Sequence, residues 1–357
     1  ACGEADILIC VGAHRDIENT QFVITAGGEG ERLKKSLLDR GESEADLKDF
    51  TKATYPLTGF YDDFGALQAN LCLIASLCNR HGLAIPVVVT TGPKGSATAR
   101  VVPEIIDKHR GFGLKHLLLV EQEERLHLTA EEKIAYTITE GLVRPITNPD
   151  ETGGPLMKLK RRGENGGGGV LERLTRLGCT KVLVLQATGL YDPALLFSMA
   201  KALTQYDCIG VGILRTMFDA KDPFGTYVSI VNNNARRLVI VEQEIRNETT
   251  LRLKDETGRY HLPYNTGLYG LKSEVLANGD LPNYATPPKE VLPGIPRSPK
   301  IGFAATDIFS LSDNAAVLSV PENAFAVIKC AEDLARLSDL GKRYGILEMC
   351  RSISYCV

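Results

Sequence analysis

The sequence predicts an α/β protein built on a mixed, mainly parallel, doubly wound sheet. Short apolar runs, Phe22-Val23-Ile24-Thr25 and Val87-Val88-Val89-Thr90-Thr91, have the continuous character of buried strands, and Leu117-Leu118-Leu119-Val120 reads as a third strand. Segments of helical spacing separate them, the clearest being Leu67, Leu71, Ile74 and Leu77. The first strand breaks at once into Ala26-Gly27-Gly28-Glu29-Gly30, a strand feeding a glycine loop at the sheet's carboxyl edge, where α/β folds bind ligands.

Taken in order, Ile7 to Val11 reads as a strand or helix end ahead of the loop. Glycines in that loop let backbone N–H groups approach a phosphate, with Arg32 beside it. The loop alone also reads as a tight strand-to-helix turn without a ligand, and it matches neither the dinucleotide fingerprint nor the P-loop. The charged residues 31–56 read as a surface excursion, and Lys52 within them as a solvated loop lysine. A helix follows, with Asp62 or Asp63 as its cap and Gly82 as its stop. Ser96 to His109 reads as a helix that Pro103 kinks or delays.

Ala130 to Glu140 reads as a polar helix, and Asn148 to Pro155 as a turn-rich stretch. Lys158, Lys160, Arg161 and Arg162 form a basic cluster that suits a solvated helix face or an anionic ligand. Val170 to Leu177 is expected to be helical, Lys181 to Gln186 a strand, Asp192 to Gln205 a crossover helix and Cys208 to Leu214 a strand. Past residue 224 the grammar turns antiparallel: Tyr227 to Val231 and Leu238 to Glu242 read as a hairpin about Asn232-Asn233-Asn234. Proline-rich residues 282–299 read as a loop, and Glu332 to Asp339 as a short terminal helix.

Lysine plus arginine number 41 against 44 aspartate plus glutamate, a net charge of -3 that gives nucleic acid no general purchase. A phosphorylated ligand must then be held by local cations. The longest apolar runs are too short to span a bilayer, and no secretory pattern opens the chain. The nine cysteines include no C-x-x-C pair, which predicts reduced thiols in a cytoplasmic protein. The six histidines show no metal-ligand spacing.

Several stretches, in order, resemble the UDP-sugar pyrophosphorylase family, the uridylyltransferases that make UDP-sugars from UTP and sugar 1-phosphates. The family loop L-A-G-G-x-G-T-R-L is matched by Thr25-Ala26-Gly27-Gly28-Glu29-Gly30-Glu31-Arg32-Leu33, and Lys52 stands where the family keeps a lysine for the nucleotide phosphates. Val89-Thr90-Thr91 is similar to its M-T-S strand end, and Gln122 falls where a glutamine reads uracil. Thr152-Gly153-Gly154 resembles the turn against the base, Val241-Glu242 the V-E-Y segment, and Asn265-Thr266-Gly267 the sugar-contacting N-x-G turn. Phe325 to Lys329 resembles F-A-P-V-K, whose lysine holds the sugar phosphate.

The resemblance implies a nucleotide-diphospho-sugar transferase fold with an antiparallel insertion. Residues 1–224 would be the nucleotide-binding core, 225–330 the sugar-binding part of the same domain, and 331–357 a C-terminal helix or shortened tail. It implies UTP and a sugar 1-phosphate as substrates, with no nucleic-acid or membrane partner, and Mg2+ as cofactor. Arg32, Lys52 and Lys329 would be catalytic; Ala26, Gly27, Gly28, Gly30, Gln122 and Gly153 would bind nucleotide; Glu242, Asn265 and Gly267 would bind sugar. The departures are specific. Gln186-Ala187-Thr188-Gly189-Leu190 lacks the metal-binding aspartate, the G-H-G turn has become Glu151-Thr152-Gly153, and Glu31 replaces a loop threonine or serine. They support a second expectation, a catalytically silent relative that binds a nucleotide sugar or a partner protein.

Overall fold

The structure, a computed structural model, describes residues 2–3, 7–8, 12–28, 30–60, 64–129, 131, 133–161, 168–214, 224–232, 235–242, 263–285 and 300–356. Asp62, Asp63, Arg162, Asn233, Asn234 and residues 286–299 of the proline-rich stretch lie outside the described residues.

The strands that matter for the site are β1 (Thr20–Thr25), β2 (Val87–Thr91), β3 (Leu117–Glu121), β4 (Lys181–Gln186), β5 (Gly189–Tyr191), β6 (Cys208–Ile213), β7 (Thr226–Asn232), β8 (Ala235–Val241), β9 (Tyr264–Lys272), β10 (Ala315–Val320) and β11 (Phe325–Val327). Across the central sheet the order is Ile7–Leu8, β10, β6, β9, β4, β1, β2, β3. Every neighbouring pair is parallel except those of β9, which runs antiparallel to both β6 and β4. The β7–β8 hairpin joins β9 through the pair Thr226 and Tyr264. Small side sheets pair β5 with β11.

The helices are α1 (Glu31–Leu38), α2 (Ala66–His81), α3 (Ala97–Lys108), α4 (Gly154–Lys160), α5 (Val170–Arg176), α6 (Ala194–Ala202), α7 (Ser273–Asn278), α8 (Asp333–Arg343) and α9 (Ile346–Cys356). Strand alternation sends Phe22, Ile24, Val87, Val89, Leu183 and Leu185 into one apolar cluster with α2 and α6. Val23, Val88, Val182 and Val184 enter another with α4 and α5. Each core strand is thus covered on both faces, the physical content of a doubly wound sheet. Helix α2 ends as expected at Gly82, which is left-handed at φ 65 and donates its N–H to the Cys78 carbonyl. No described helix is long and apolar enough to cross a membrane.

Four expectations are corrected. Residues 130–140 form no helix among the described residues: Tyr136–Thr139 and Leu142–Pro145 pair as a hairpin. Glu140 and Gly141, at φ 55 and 78, make the two-residue turn that suits strand twist, and the β-branched run Thr137-Ile138-Thr139 outweighs local polarity. The segment after Gly30 is less superficial than its charges suggest, because α1 buries Leu33 and Leu37. The terminal helix is longer, running through α8 into α9, which packs against α2. Pro103 neither delays nor ends α3; the helix starts at Ala97, with Ser96 Oγ accepting the Ala99 N–H at 3.2 Å.

Candidate active site

The carboxyl ends of β1, β2, β4 and β8 and the bulged part of β9 open onto one cleft of about 520 Å3. It is lined by the loop residues Ala26, Gly27, Gly28 and Gly30, by Lys52, Gln122 and Lys329, and by Glu242, Asn265 and Gly267. Ten of the twelve residues singled out in the sequence therefore meet on one surface.

The glycines are there for clearance. A Cβ on Gly27 would lie 2.1 Å from Gln122 Oε1, and one on Gly30 would lie 2.6 Å from Lys52 Cβ. Gly30 also takes φ 74, a left-handed value that opens α1 without strain only in glycine. The loop thus holds both the amide and the ammonium stem against its backbone. Gln122 is fixed further by donating from Nε2 to the Glu151 carbonyl at 2.7 Å.

The cations form a group. Burial, then Lys329 and then Arg32, push Lys52 down to about 8, with Asp333 opposing. Lys329 is lowered by burial and by Arg32, while Glu242 and Asp333 pull it back. Its ammonium lies 5.3 Å from the Phe224 ring centre. The lysine is set in place by Asp333, whose Oδ2 accepts the Lys329 N–H at 2.7 Å and the Cys330 N–H at 2.9 Å at the start of α8. The β5–β11 pair holds the preceding residues, and the Ile328 N–H reaches the Thr188 carbonyl at 2.9 Å. Nothing in the local sequence marked Asp333, since a capping carboxylate has the same signature at any helix start.

Two of the twelve do not line the cleft. Arg32 is exposed on α1 and acts on both lysines through its charge. Gly153 sits behind the wall: its N–H donates to the Phe303 carbonyl at 2.6 Å, and a Cβ there would come within 2.8 Å of the Ala304 backbone. Its smallness serves packing of the turn rather than access to a ligand. Of the basic cluster, Lys158 donates to the Glu121 carbonyl, Lys160 pairs with Asp280 and Arg161 with Glu123, the arrangement of a structural helix face.

Residues that sequence reasoning did not assign also line the cleft, among them Lys300, Tyr269, Gln186 and Thr306. Glu31 and Glu151 bring carboxylates to it. Glu151 takes φ 62, a left-handed value unusual for a residue with a Cβ. Next to it, Asp150 is buried, and burial followed by the nearby Glu123 charge raises its carboxyl to about 6. On β9 the register shifts between the partners Gly210 and Gly212, and Gly267 takes φ 75. That bulge turns Asn265 and Gly267 toward the cleft.

A metal is poorly provided for. Ala187, where the resemblance has a metal-binding aspartate, is fully buried among apolar side chains and donates its N–H to the Thr25 carbonyl at 3.1 Å. Among the described residues no group of three histidine, cysteine, aspartate or glutamate side chains is placed to hold an ion. Ala187 itself offers a metal ion no side-chain ligand.

No family model matches the sequence, and no curated protein does. Solved structures do match in shape. A protein assigned as a UDP-N-acetylglucosamine pyrophosphorylase from Entamoeba histolytica superposes with a TM-score of 0.68 at 16% identity, over 92% of this chain and 83% of that one. The uridine diphosphate N-acetylglucosamine pyrophosphorylase of Trypanosoma brucei gives 0.69 at 14%, over 92% and 66%. A variant UDP-glucose pyrophosphorylase of Leishmania major bound to UDP-glucose gives 0.66 at 14%, over 92% and 68%, so the chain spans about two thirds of these last two. The motif order read from the sequence and the shape of the whole chain agree: this protein has the fold of the UDP-sugar pyrophosphorylases.

Proposed function

We propose that the chain is a nucleotidyltransferase that forms a UDP-sugar and pyrophosphate from UTP and a sugar 1-phosphate. The observation that carries this is the convergence of the glycine loop, Lys52, Lys329, Gln122 and Glu242 on one cleft. Residues 225–330 supply the sugar side, and residues before 225 the nucleotide side.

In this reading the loop N–H groups and Lys52 hold the triphosphate, and Gln122, clamped between Gly27 and Glu151, reads the base. Lys329 neutralises the incoming sugar phosphate and brings its oxygen in line with the α-phosphorus; the P–O bond to pyrophosphate breaks as the new one forms. Such chemistry asks for positioning and charge neutralisation more than covalent help. Arg32 adds to the field from outside the wall. Mg2+ would enter with the triphosphate and would add to the neutralisation of its charge.

Pyrophosphate release from UTP and a panel of sugar 1-phosphates tests the reading, with Lys329→Ala as control. Turnover that disappears in the variant while its fold persists supports it; turnover unchanged in the variant removes Lys329 from the site. A second reading, a silent nucleotide-sugar binder, is favoured by the buried Ala187 and by the carboxylates of Glu31 and Glu151 in the cleft. UDP-sugar binding without pyrophosphate release from any sugar would select it.

A further inference from the structure

On the sugar side of the cleft lies a hydrogen-bond chain whose last member, Tyr269, is buried and lines the cleft. Asn265 Oδ1 accepts the Gly267 N–H at 2.8 Å. Because a backbone N–H only donates, that contact fixes which end of the amide is oxygen. The same oxygen accepts the Tyr227 hydroxyl at 3.0 Å, and Nδ2 donates to the Tyr269 hydroxyl oxygen at 2.8 Å. Three of the four hydrogen-bonding positions of Asn265 are thus spent inside the protein.

The consequence falls on Tyr269. Its oxygen is occupied as an acceptor, so its proton must be given elsewhere, and no acceptor for it stands among the described residues. Both tyrosine rings are held edge-on to Phe309, at 5.8 Å for Tyr227 and 6.0 Å for Tyr269, which leaves the hydroxyl little freedom. Tyr269 lines the cleft beside Asn265, Gly267 and Glu242. A buried donor without an acceptor costs free energy that a ligand oxygen would recover.

Building on the reading above, we propose that Tyr269 is the residue that recognises the sugar, donating its hydroxyl proton to a ring hydroxyl or acyl carbonyl oxygen, and that Asn265 is a positioning residue that aims it.

The test is calorimetric and needs no turnover: dissociation constants of UDP, UDP-glucose and UDP-N-acetylglucosamine for the wild-type chain and two variants. Tyr269→Phe deletes one oxygen and keeps the ring against Phe309. Asn265→Asp keeps the acceptor for Gly267 and Tyr227 but removes the donor, so the Tyr269 proton turns inward. Both are expected to weaken the UDP-sugars about 5- to 20-fold, the range of one hydrogen bond, with UDP unchanged. Loss with both sugars places the acceptor on a ring hydroxyl; loss with the N-acetyl sugar alone places it on the acyl carbonyl. Equal weakening of UDP, or none with either sugar, overturns the assignment while leaving the nucleotide reading intact. A wild-type chain that binds neither UDP nor a UDP-sugar removes both.

Discussion

The Gln122 side-chain oxygen occupies the space where a Cβ on Gly27 would stand, only 2.1 Å from it. The loop glycine and the residue proposed to read the base are therefore one fitted unit. In Gly27→Ala the amide must leave its bond to the Glu151 carbonyl or the loop must shift. Base discrimination is expected to drop on the order of 10-fold, with stability lower by about 1–3 kcal/mol. Titration of UTP and CTP, together with a melting curve, checks both parts.

Glu151 marks a second departure with a physical cost. The resemblance has the first glycine of a turn here, and the backbone still adopts the conformation that glycine favours, at φ 62. Glu151→Gly removes a strained Cβ and one carboxylate from the lining of the cleft. Stability is expected to rise by about 1 kcal/mol, offset in part by the greater freedom of unfolded glycine, and nucleotide affinity to rise with it. Thermal unfolding with and without UTP reads the two separately.

Lys52 gives the cleft a pH dependence. Its folded value of about 8 lies below the ordinary 10.5, so the folded chain releases this proton while the unfolded chain still holds it. Its charge therefore costs stability below about pH 8, and the cost is relieved as pH rises from 8 toward 10.5. Anion binding runs the other way, because a phosphate favours the ammonium. UTP affinity is expected to fall as pH rises above 8, with proton uptake on binding near pH 8.5. Calorimetry in two buffers of different ionisation enthalpy measures that uptake, and Lys52→Gln abolishes it.

Asp150 titrates at the turn that lies against Gln122. Its folded value of about 6 exceeds the ordinary 3.8, so between these values the folded state holds the extra proton and stability declines as pH rises through the window. In Asp150→Asn the decline between pH 4 and 6 is expected to flatten. Denaturant midpoints measured across that range check it.

Much of this fold is legible in the chain because buried parallel strands announce themselves as unbroken apolar runs, as in Val87 to Thr91. What is not legible is order in space. Strand β9 enters the middle of the sheet antiparallel, and nothing in Tyr264 to Lys272 names its neighbours β6 and β4. The site shows the same division. Lys52, Lys329 and Gln122 are named by motif, whereas Asp333 and Tyr269 draw notice only through their contacts with Lys329 and Asn265, which a structure reveals. Gly153 shows the converse, a motif position spent on packing against Ala304.

The central claim is that this cleft is a uridine-nucleotide site, and thermal stability of the purified chain with UTP, CTP, ATP and GTP, each with and without Mg2+, tests it most directly. Ligand at about 100 times its dissociation constant adds roughly 2.7 kcal/mol to the native state. A stabilisation by UTP that exceeds that of the other three, and that Gln122→Ala reduces to their level, is the predicted result. Equal shifts with all four nucleotides, or none with any, would contradict it.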